Sequence, residues 1–331
     1  MKFRTRIALL AVGLIVSFLL SLHVGYRMLA PTEVWSGLMV GGDSTDAVVA
    51  RTLRLPRALA AMASGGALAL AGLLMQTVMR NPLAEPGLLG VNAGAGLAVV
   101  IAFSVFGIVS LPLLAVIAVI GSAVAVSIVF TIALASGPTA PPVHFLLAGV
   151  TVAALLASIT QILLLADEGT MEALLFWLSG SFADRGMDQL RVALAPIAVL
   201  ALVVMALHRT LDALMTDDDT AHAIGLNVMR ARIGALAIAA ALAGLTVSIA
   251  GPVGFVGLVA PHIARQIVVA THRCLIPASV LTGMILALLA DILARLIAAP
   301  QEVPVGAVLA IVGVPVLISL LRRGRVAGLA S

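Results

Sequence analysis

Lysine, cysteine and clustered metal ligands are scarce in this sequence, and each scarcity excludes a class of function. The only lysine is Lys2, whereas a phosphate-binding P-loop requires a lysine after its glycine-rich turn. The chain therefore carries no Walker-type ATP site of its own. The only cysteine is Cys274, which excludes an internal disulfide and a cysteine-clustered metal site. The six histidines are scattered without an HExxH pattern. We expect no cofactor, no metal and no catalytic activity.

Charge and aromatic side chains are also sparse, at 10% and 4% of the 331 residues, while 62% are hydrophobic. A soluble domain has about 25% charged residues and about 45–50% apolar residues, so a water-soluble fold and disorder are both excluded. The apolar runs are unbroken, unlike the alternating segments of about 10 residues in a membrane barrel. The net charge of +4 comes from arginines at segment ends and does not indicate nucleic-acid binding. The composition predicts an all-α polytopic membrane protein surrounded by lipid.

The apolar runs predict about ten transmembrane segments of roughly 20 residues each. The segment 251–270 is the least certain because it contains Pro252, Gly254, Gly257 and Pro261. Ten crossings place the basic N-terminus and the basic C-terminal tail on one side, as the positive-inside rule requires. We therefore expect a bacterial inner-membrane protein with both termini in the cytoplasm. The predicted segments are 7–26, 58–79, 88–109, 112–135, 145–166, 191–208, 233–250, 251–270, 275–297 and 303–321.

The chain is interpreted as one transmembrane domain, 1–331, with two longer polar connections. The first connection, 167–190, is expected outside the cell membrane with a short helix. The second, 211–228, is expected in the cytoplasm as a short helix capped by Thr216, with Asp219 completing an approximate capping box. Asp217, Asp218 and Asp219 lie at its positive end, and Gly225 is a natural stop. Such a short helix needs a packing partner, either its own protein's inner face or a soluble partner.

Proline and glycine inside the apolar sequence concentrate in two stretches, 81–96 and 251–261. Broken helices in lipid are tolerated where protein or a water-filled cavity satisfies the freed backbone groups, and paired breaks can mark transporters. Close helix packing by small residues is the alternative. Asp291 and Arg295 are spaced i,i+4 and can pair on one helix face. A neutralised pair does not form a proton relay, which disfavours an ion-coupled carrier.

Several motifs, in order along the chain, resemble the FecCD-type permeases, which are the membrane subunits of ABC importers for iron–siderophore complexes, haem and cobalamin. The resemblance covers nearly the whole chain from the second segment onward. It implies a ten-span fold like that of cobalamin importer permeases. The matching stretches are Arg54-Leu-Pro-Arg57, Gly66–Gly72, Met75-Gln76, Arg80–Ala95, Leu147–Val150, Trp177–Ser181, Gly254–Leu258, Pro261–Arg265, Ala290–Arg295 and Val303–Gly306.

The resemblance also implies partners and sites. It implies a second permease copy or a homologue, with the translocation path between the two, and two cytoplasmic ATP-binding subunits that bind the 211–228 loop. It further implies a periplasmic binding protein whose acidic side chains meet outward arginines. The implied docking residues are Arg54, Arg57 and Arg295, and a structural pairing of Arg295 with Asp291 is the alternative role. The implied coupling residues are Asp217, Asp218, Asp219, Ala221 and Gly225.

The resemblance places the cytoplasmic gate near the start of the fifth segment. This sequence has Pro141-Pro142-Val143 there, with Thr139 slightly earlier, where cobalamin-type members have small hydroxyl residues. The resemblance therefore implies where the gate lies in this chain, but it implies no specific polar gate residue. Gln76 and Asn92 are further candidates for the path. We expect an iron(III)–siderophore substrate, with haem or cobalamin as the alternative in the same family and an ion-coupled secondary transporter as the alternative of another class.

Overall fold

The computed structural model describes residues 3–135, 137, 142–183, 186–269, 271–299 and 301–328, and these ranges contain helices and no strand. The predicted all-α fold is confirmed. Two π-helical turns, Ser36–Val40 and Ala50–Arg54, and one 3-10 turn, Pro86–Leu89, supplement the α-helices. The α-helices in chain order are α1 (Phe3–His23), α2 (Pro31–Trp35), α3 (Thr45–Val49), α4 (Leu55–Val78), α5 (Val91–Ser104), α6 (Leu111–Ala135), α7 (Pro142–Ala166), α8 (Glu168–Leu178), α9 (Met187–Ala206), α10 (His208–Leu214), α11 (Asp218–Ala223), α12 (Val228–Ala250), α13 (Val256–Ile267), α14 (His272–Ile297) and α15 (Val305–Gly328).

Each of the ten predicted segments overlaps a helix, but not every helix is a full-length span. Among the described residues, six helices are long and apolar enough to cross a membrane. The bent pair Leu190–Ala206 and His208–Leu214, which meet at 61°, makes a seventh if it is one span. The remaining segments correspond to α5, α13 and α15, of which α5 and α13 have only 14 and 12 helical residues. The count of full helical spans is therefore lower than predicted.

Proline and glycine explain why α5 and α13 are short. Twelve residues at about 1.5 Å each extend only about 18 Å, against a hydrocarbon core of about 30 Å. The two irregular stretches that precede α5 and α13 meet inside the bundle. The Phe255 N–H donates to Glu85 Oε2 at 3.2 Å, and Pro86 lies against Gly257. The two breaks thus contact each other, and a side chain of one satisfies a backbone N–H of the other, as is required of irregular backbone within a membrane.

Helix α4 forms the centre of the bundle, because α12, α13 and α14 all pack on it. Small residues allow these contacts to be close. A Cβ at Gly65 would overlap the carbonyl oxygen of Gly283 in α14, and a Cβ at Gly72 would overlap that of Gly257 in α13. Only glycine permits these backbones to touch, so α4, α13 and α14 form a compact core.

The two ends of this core carry different charged side chains. The arginine end contains Arg54, Arg57 and Arg295, and the aspartate end contains the loop 211–228. Helix α1 begins at the aspartate end, because Arg6 donates to the Ile267 carbonyl at 2.6 Å. Helix α15 begins at the arginine end, where the Val305 N–H donates to the Gly180 carbonyl at 3.1 Å. The first helix therefore starts at the aspartate end, and the last helix starts at the arginine end and runs back towards the aspartate end.

Candidate functional sites at the two ends of the bundle

An open cavity of about 620 Å³ lies at the arginine end. All three predicted docking residues, Arg54, Arg57 and Arg295, line it together with Glu302. These side chains come from the start of α4, the end of α14 and the connection before α15. Folding thus gathers one charged cluster from three distant parts of the chain.

A single carboxylate joins two of the three arginines. Asp291 is fully buried, and its Oδ1 accepts from Arg57 Nε at 2.8 Å while its Oδ2 lies 2.9 Å from Arg295 Nη2. The predicted Asp291–Arg295 pair is therefore confirmed. The sequence did not predict the contacts of Arg57 with Asp291 and Glu302, because these residues lie far apart in the chain and no periodicity relates them.

Arg54 and Arg295 also bind the end of α1. Arg54 Nη1 donates to the Leu22 carbonyl at 2.9 Å, and Arg295 Nη1 donates to the carbonyls of Ser21 and Val24 at 3.0 and 2.9 Å. The last carbonyls of a helix lack intrahelical partners and favour a nearby cation. Both arginines are buried, so they fix the cavity wall. Arg57, by contrast, also faces the exposed Glu302.

At the aspartate end the structure forms two short helices, α10 and α11, where one was predicted. The N-cap of α11 is Asp217, whose carboxylate accepts from the Thr220 N–H at 2.8 Å. The predicted cap at Thr216 is wrong, because the Thr216 hydroxyl donates to the Ala213 carbonyl at 2.7 Å and closes α10 instead. The bond from the Thr220 N–H lowers the pKa of Asp217. The capping position thus holds a charged carboxylate at neutral pH.

The end of α11 confirms Gly225 as the stop. Gly225 has φ +84°, its N–H donates to the His222 carbonyl at 2.9 Å, and the Leu226 N–H donates to the Ala221 carbonyl at 3.1 Å. These two bonds form a Schellman motif, which needs a residue that tolerates positive φ. Ala221 is fully buried, whereas Ile224 is 67% exposed. One face of α11 therefore packs on the protein and the other faces outward.

Asp218 anchors this helix to the bundle. Its carboxylate lies 2.6 Å from Arg80 and 2.7 Å from Arg232, and Arg80 Nε also donates to the Leu214 carbonyl at 3.0 Å. Burial alone would raise the pKa of Asp218, but its hydrogen bonds and charge contacts with the two arginines lower it below the ordinary value. Asp219 is exposed. Sequence reasoning did not identify Arg80 and Arg232, which come from other elements.

A second link joins α10 to the core. Asp212 Oδ1 accepts from the backbone N–H of His272 at 2.9 Å and lies 2.7 Å from its Nδ1. His272 Nε2 lies 2.7 Å from the hydroxyl of Thr77 in α4. Both His272 and Thr77 are buried. The loop 211–228 is thus attached to α4 and α14 at once, through residues too far apart in sequence to be recognised as a set.

The residues predicted for the path and gate lie in different parts of the structure. Thr139 and Pro141 lie outside the described residues, α7 begins at Pro142, and Val143 is 48% exposed. The Gln76 side chain is buried in the core, where its amide donates to the Gly257 carbonyl at 3.1 Å and its oxygen accepts from Arg265. In this conformation Gln76 fixes α13 against α4.

Asn92 is half-buried in the first turn of α5. Its amide lies in the same region as the irregular stretch 79–90, near Gly87. Of the residues proposed for the path, Gln76 is buried and links α4 to α13. Asn92 lies beside an irregular stretch, and Val143 is exposed at the start of α7. Their shared role in a path stays a prediction.

The exposed face of α7 is a further feature of the structure. This face carries Thr151, Ser158 and Gln161 among apolar residues. The hydroxyls of Thr151 and Ser158 donate back to Leu147 and Ala154 at 2.9 Å, so their oxygens keep free acceptor capacity. Polar groups at membrane depth usually face protein or water and not lipid. The face therefore marks a candidate contact with a second chain or an aqueous path.

Comparison with known proteins identifies the family of this chain. The model of the FecCD transport family matches residues 13–323. The chain is 40% identical over 310 residues to the ferric enterobactin transport system permease protein FepD of Escherichia coli (strain K12), covering 94% of this chain and 92% of that protein. It is 35% identical over 330 residues to the hemin transport system permease protein HmuU of Yersinia pestis, covering 97% and 96%. A solved structure described as an inward-facing conformation of a metal-chelate type ABC transporter has a TM-score of 0.84 and 27% identity, covering 97% of this chain and 99% of that one.

Proposed function

Because the chain belongs to the FecCD transport family and is a multi-pass permease of a metal-chelate type ABC importer, we propose that it carries an iron(III)–siderophore across the bacterial inner membrane. The permease itself is not catalytic, since family members are the membrane components of such importers. The similarity to the ferric enterobactin permease supports the siderophore assignment. Haem or cobalamin is the alternative substrate within the same family.

The observation that carries the proposal is the placement of two different surfaces at opposite ends of one core. In this assignment the aspartate end, with both termini, lies in the cytoplasm. The arginine end, with the 167–190 loop and α8, faces the periplasm. The whole chain 1–331 acts as one permease domain, with 211–228 as its coupling loop.

The coupling loop offers an ATP-binding subunit a defined surface. Asp217 and Asp219 are exposed beside the apolar Met215 and Ile224, which are 51% and 67% exposed. Asp218, Ala221 and Gly225 hold the helix in position from the other side. A partner that moves the coupling loop also moves the core, because Asp218 of α11 contacts Arg80 after α4 and Asp212 of α10 contacts His272 of α14. This linkage can convert closure of two ATPase subunits into a change of access across the membrane.

The arginine end offers a periplasmic binding protein a cationic cavity. The guanidinium group holds carboxylates well because its donors form a rigid fork. Arg54 and Arg295 shape the wall by binding α1, and Arg57 presents its outer side to the opening. Binding of acidic side chains at this cavity fits the alternating-access cycle, in which a loaded binding protein docks before ATP closes the inner side.

The exposed face of α7 supports a second permease copy or a homologue as a partner. Thr151, Ser158 and Gln161 would line an aqueous path between the two chains, with the gate near 139–143 at its cytoplasmic end. A polar path is also required for a chelate that brings hydrogen-bonding groups through the membrane.

Transport is tested in proteoliposomes that contain the permease, the ATP-binding subunits and the binding protein. We expect ATP-dependent uptake of radioactive iron supplied as a ferric catecholate siderophore, and no uptake when the ATPase is omitted. Ferric citrate, hemin and cobalamin are measured in parallel as alternative substrates. Uptake without the ATPase, driven by a proton or sodium gradient, would establish the ion-coupled carrier instead.

Removing the cap of α11 tests the coupling surface. Replacing Asp217 with alanine should destabilise α11, because it removes the acceptor of the Thr220 N–H. We expect faster hydrogen exchange in 218–223 and weaker co-purification of the ATP-binding subunits. Thr216→Ala is the matched control, since Thr216 lies one residue away without capping α11, and it should leave both measurements near wild type. Equal effects of the two variants would contradict the assigned cap.

A further inference from the structure

Glu302 occupies the outer side of Arg57 in a way that resembles a bound ligand. Arg57 Nη1 lies 2.7 Å from Glu302 Oε1 and 2.8 Å from Oε2, while Arg57 Nε is bound to Asp291 on the inner side. The side chains of Arg57, Asp291 and Glu302 are 12%, 0% and 37% exposed. Arg57 thus has one buried, permanent carboxylate and one accessible carboxylate at the mouth of the cavity.

The charge balance of the cavity favours exchange of the accessible carboxylate. Four arginines line the cavity, and one of them, Arg27, is paired with Asp46. The other three, Arg54, Arg57 and Arg295, exceed the carboxylates of Asp291 and Glu302 by one positive charge. An incoming carboxylate that takes the place of Glu302 leaves Arg57 paired throughout. The large penalty of a buried unpaired charge is therefore avoided, and only a partly exposed ion pair, which stabilises weakly, has to be given up.

We propose that Glu302 is an internal stand-in for a carboxylate of the docking partner, and that docking replaces Glu302 on Arg57 with an acidic side chain of the periplasmic binding protein. This inference rests on the proposed function, because it deepens the role of the arginine end as a docking surface. Glu302 lies in the connection to α15, whose start is held by the Val303 N–H bond to the Ala294 carbonyl at 3.2 Å. Exchange therefore also releases the side-chain tether between α4 and this connection.

The test uses phenylglyoxal, which modifies accessible guanidinium groups, on the full-length protein in lipid nanodiscs. Modification of Arg57 is quantified by peptide mass spectrometry. In Glu302→Gln the rate at Arg57 should rise roughly fivefold, the change expected from loss of one partly exposed ion pair. Glu168→Gln, which removes an exposed carboxylate of α8, is the matched control and should not change the rate. Glu302→Asp keeps the charge on a shorter side chain and should give an intermediate rate.

A triglutamate peptide is the probe for the exchange itself. It should protect Arg57 in Glu302→Gln at a lower concentration than in wild type, whereas inorganic phosphate at equal charge should protect less. Equal protection by phosphate would show a general anion site and overturn the assignment to a protein carboxylate. An unchanged Arg57 rate in Glu302→Gln would overturn the inference in full. Because this readout needs no transport, failure of uptake by the complete importer would refute the proposed function independently.

Discussion

Replacing Asp291 with asparagine should destabilise the protein by about 3–5 kcal/mol, because it leaves the buried Arg295 and the largely buried Arg57 without their shared anion. Asp291 is fully buried and in contact with both Arg57 and Arg295. An asparagine of the same shape keeps the packing, removes the charge and replaces one acceptor oxygen by an NH2 group that cannot accept from an arginine. The midpoint of thermal unfolding in detergent should be lower than in the wild type. Unfolding is monitored by the labelling of Cys274 with a thiol-reactive dye. Cys274 is the only cysteine and is half-buried in α14, so labelling reports unfolding of the core.

Glu302→Gln is the control for this prediction, because it removes the second carboxylate of the same Arg57. Glu302 is partly exposed, and we expect a loss below about 1 kcal/mol. Comparable losses for the two variants would show that burial of Asp291 does not govern the cluster. A preserved midpoint for Asp291→Asn would contradict the description of the arginine end as an ion cluster built around one carboxylate.

Replacing Gly72 with alanine should destabilise the protein by about 3 kcal/mol or more, the upper range for overpacking. The added Cβ overlaps the carbonyl of Gly257, which is backbone and cannot turn away as a side chain does. Helix α13 would have to separate from α4, and this would break the Gln76 contact with Gly257. The expected measurements are a poor yield of monodisperse protein and a lower unfolding midpoint in the Cys274 assay.

Gly234→Ala provides the matched control for Gly72. Gly234 is an exposed residue of α12, and a Cβ there meets nothing within 4 Å. The substitution should be neutral or stabilise by up to about 1 kcal/mol, because alanine is favoured over glycine within a helix. A loss at Gly234 as large as that at Gly72 would mean that any glycine-to-alanine change harms this protein, and the close approach of α4 and α13 would lose its significance.

Local pattern was sufficient to predict much of the fold. Apolar runs located the ten segments, and i,i+4 spacing predicted the Asp291–Arg295 pair. Gly225 was recognisable as a helix stop, because a Schellman motif needs only the residues around it. The cap was misplaced by one residue, since Thr216 and Asp217 are both good caps and the choice depends on where α10 ends.

The rest depended on contacts between distant parts of the chain. The pairings Arg57–Asp291, Arg80–Asp218 and Asp212–His272 join residues from distant parts of the chain, and no spacing in one sequence encodes them. The helical lengths of α5 and α13 were overestimated for a related reason. Apolar composition marks chain that lies within the membrane, but proline and glycine let part of that chain remain irregular where other helices enclose it.

The pairing of α4 with α14 has a thermodynamic consequence for the two ends. These helices are joined by Arg57–Asp291 at one end, by the Gly65–Gly283 approach in the middle and by Thr77–His272 at the other end. A structure fastened at three levels moves as one body, so any partner that favours one position of α14 at either end biases the opposite end. Linkage then requires reciprocity: the factor by which an ATP-binding subunit changes the affinity for a binding protein equals the factor by which the binding protein changes the affinity for that subunit.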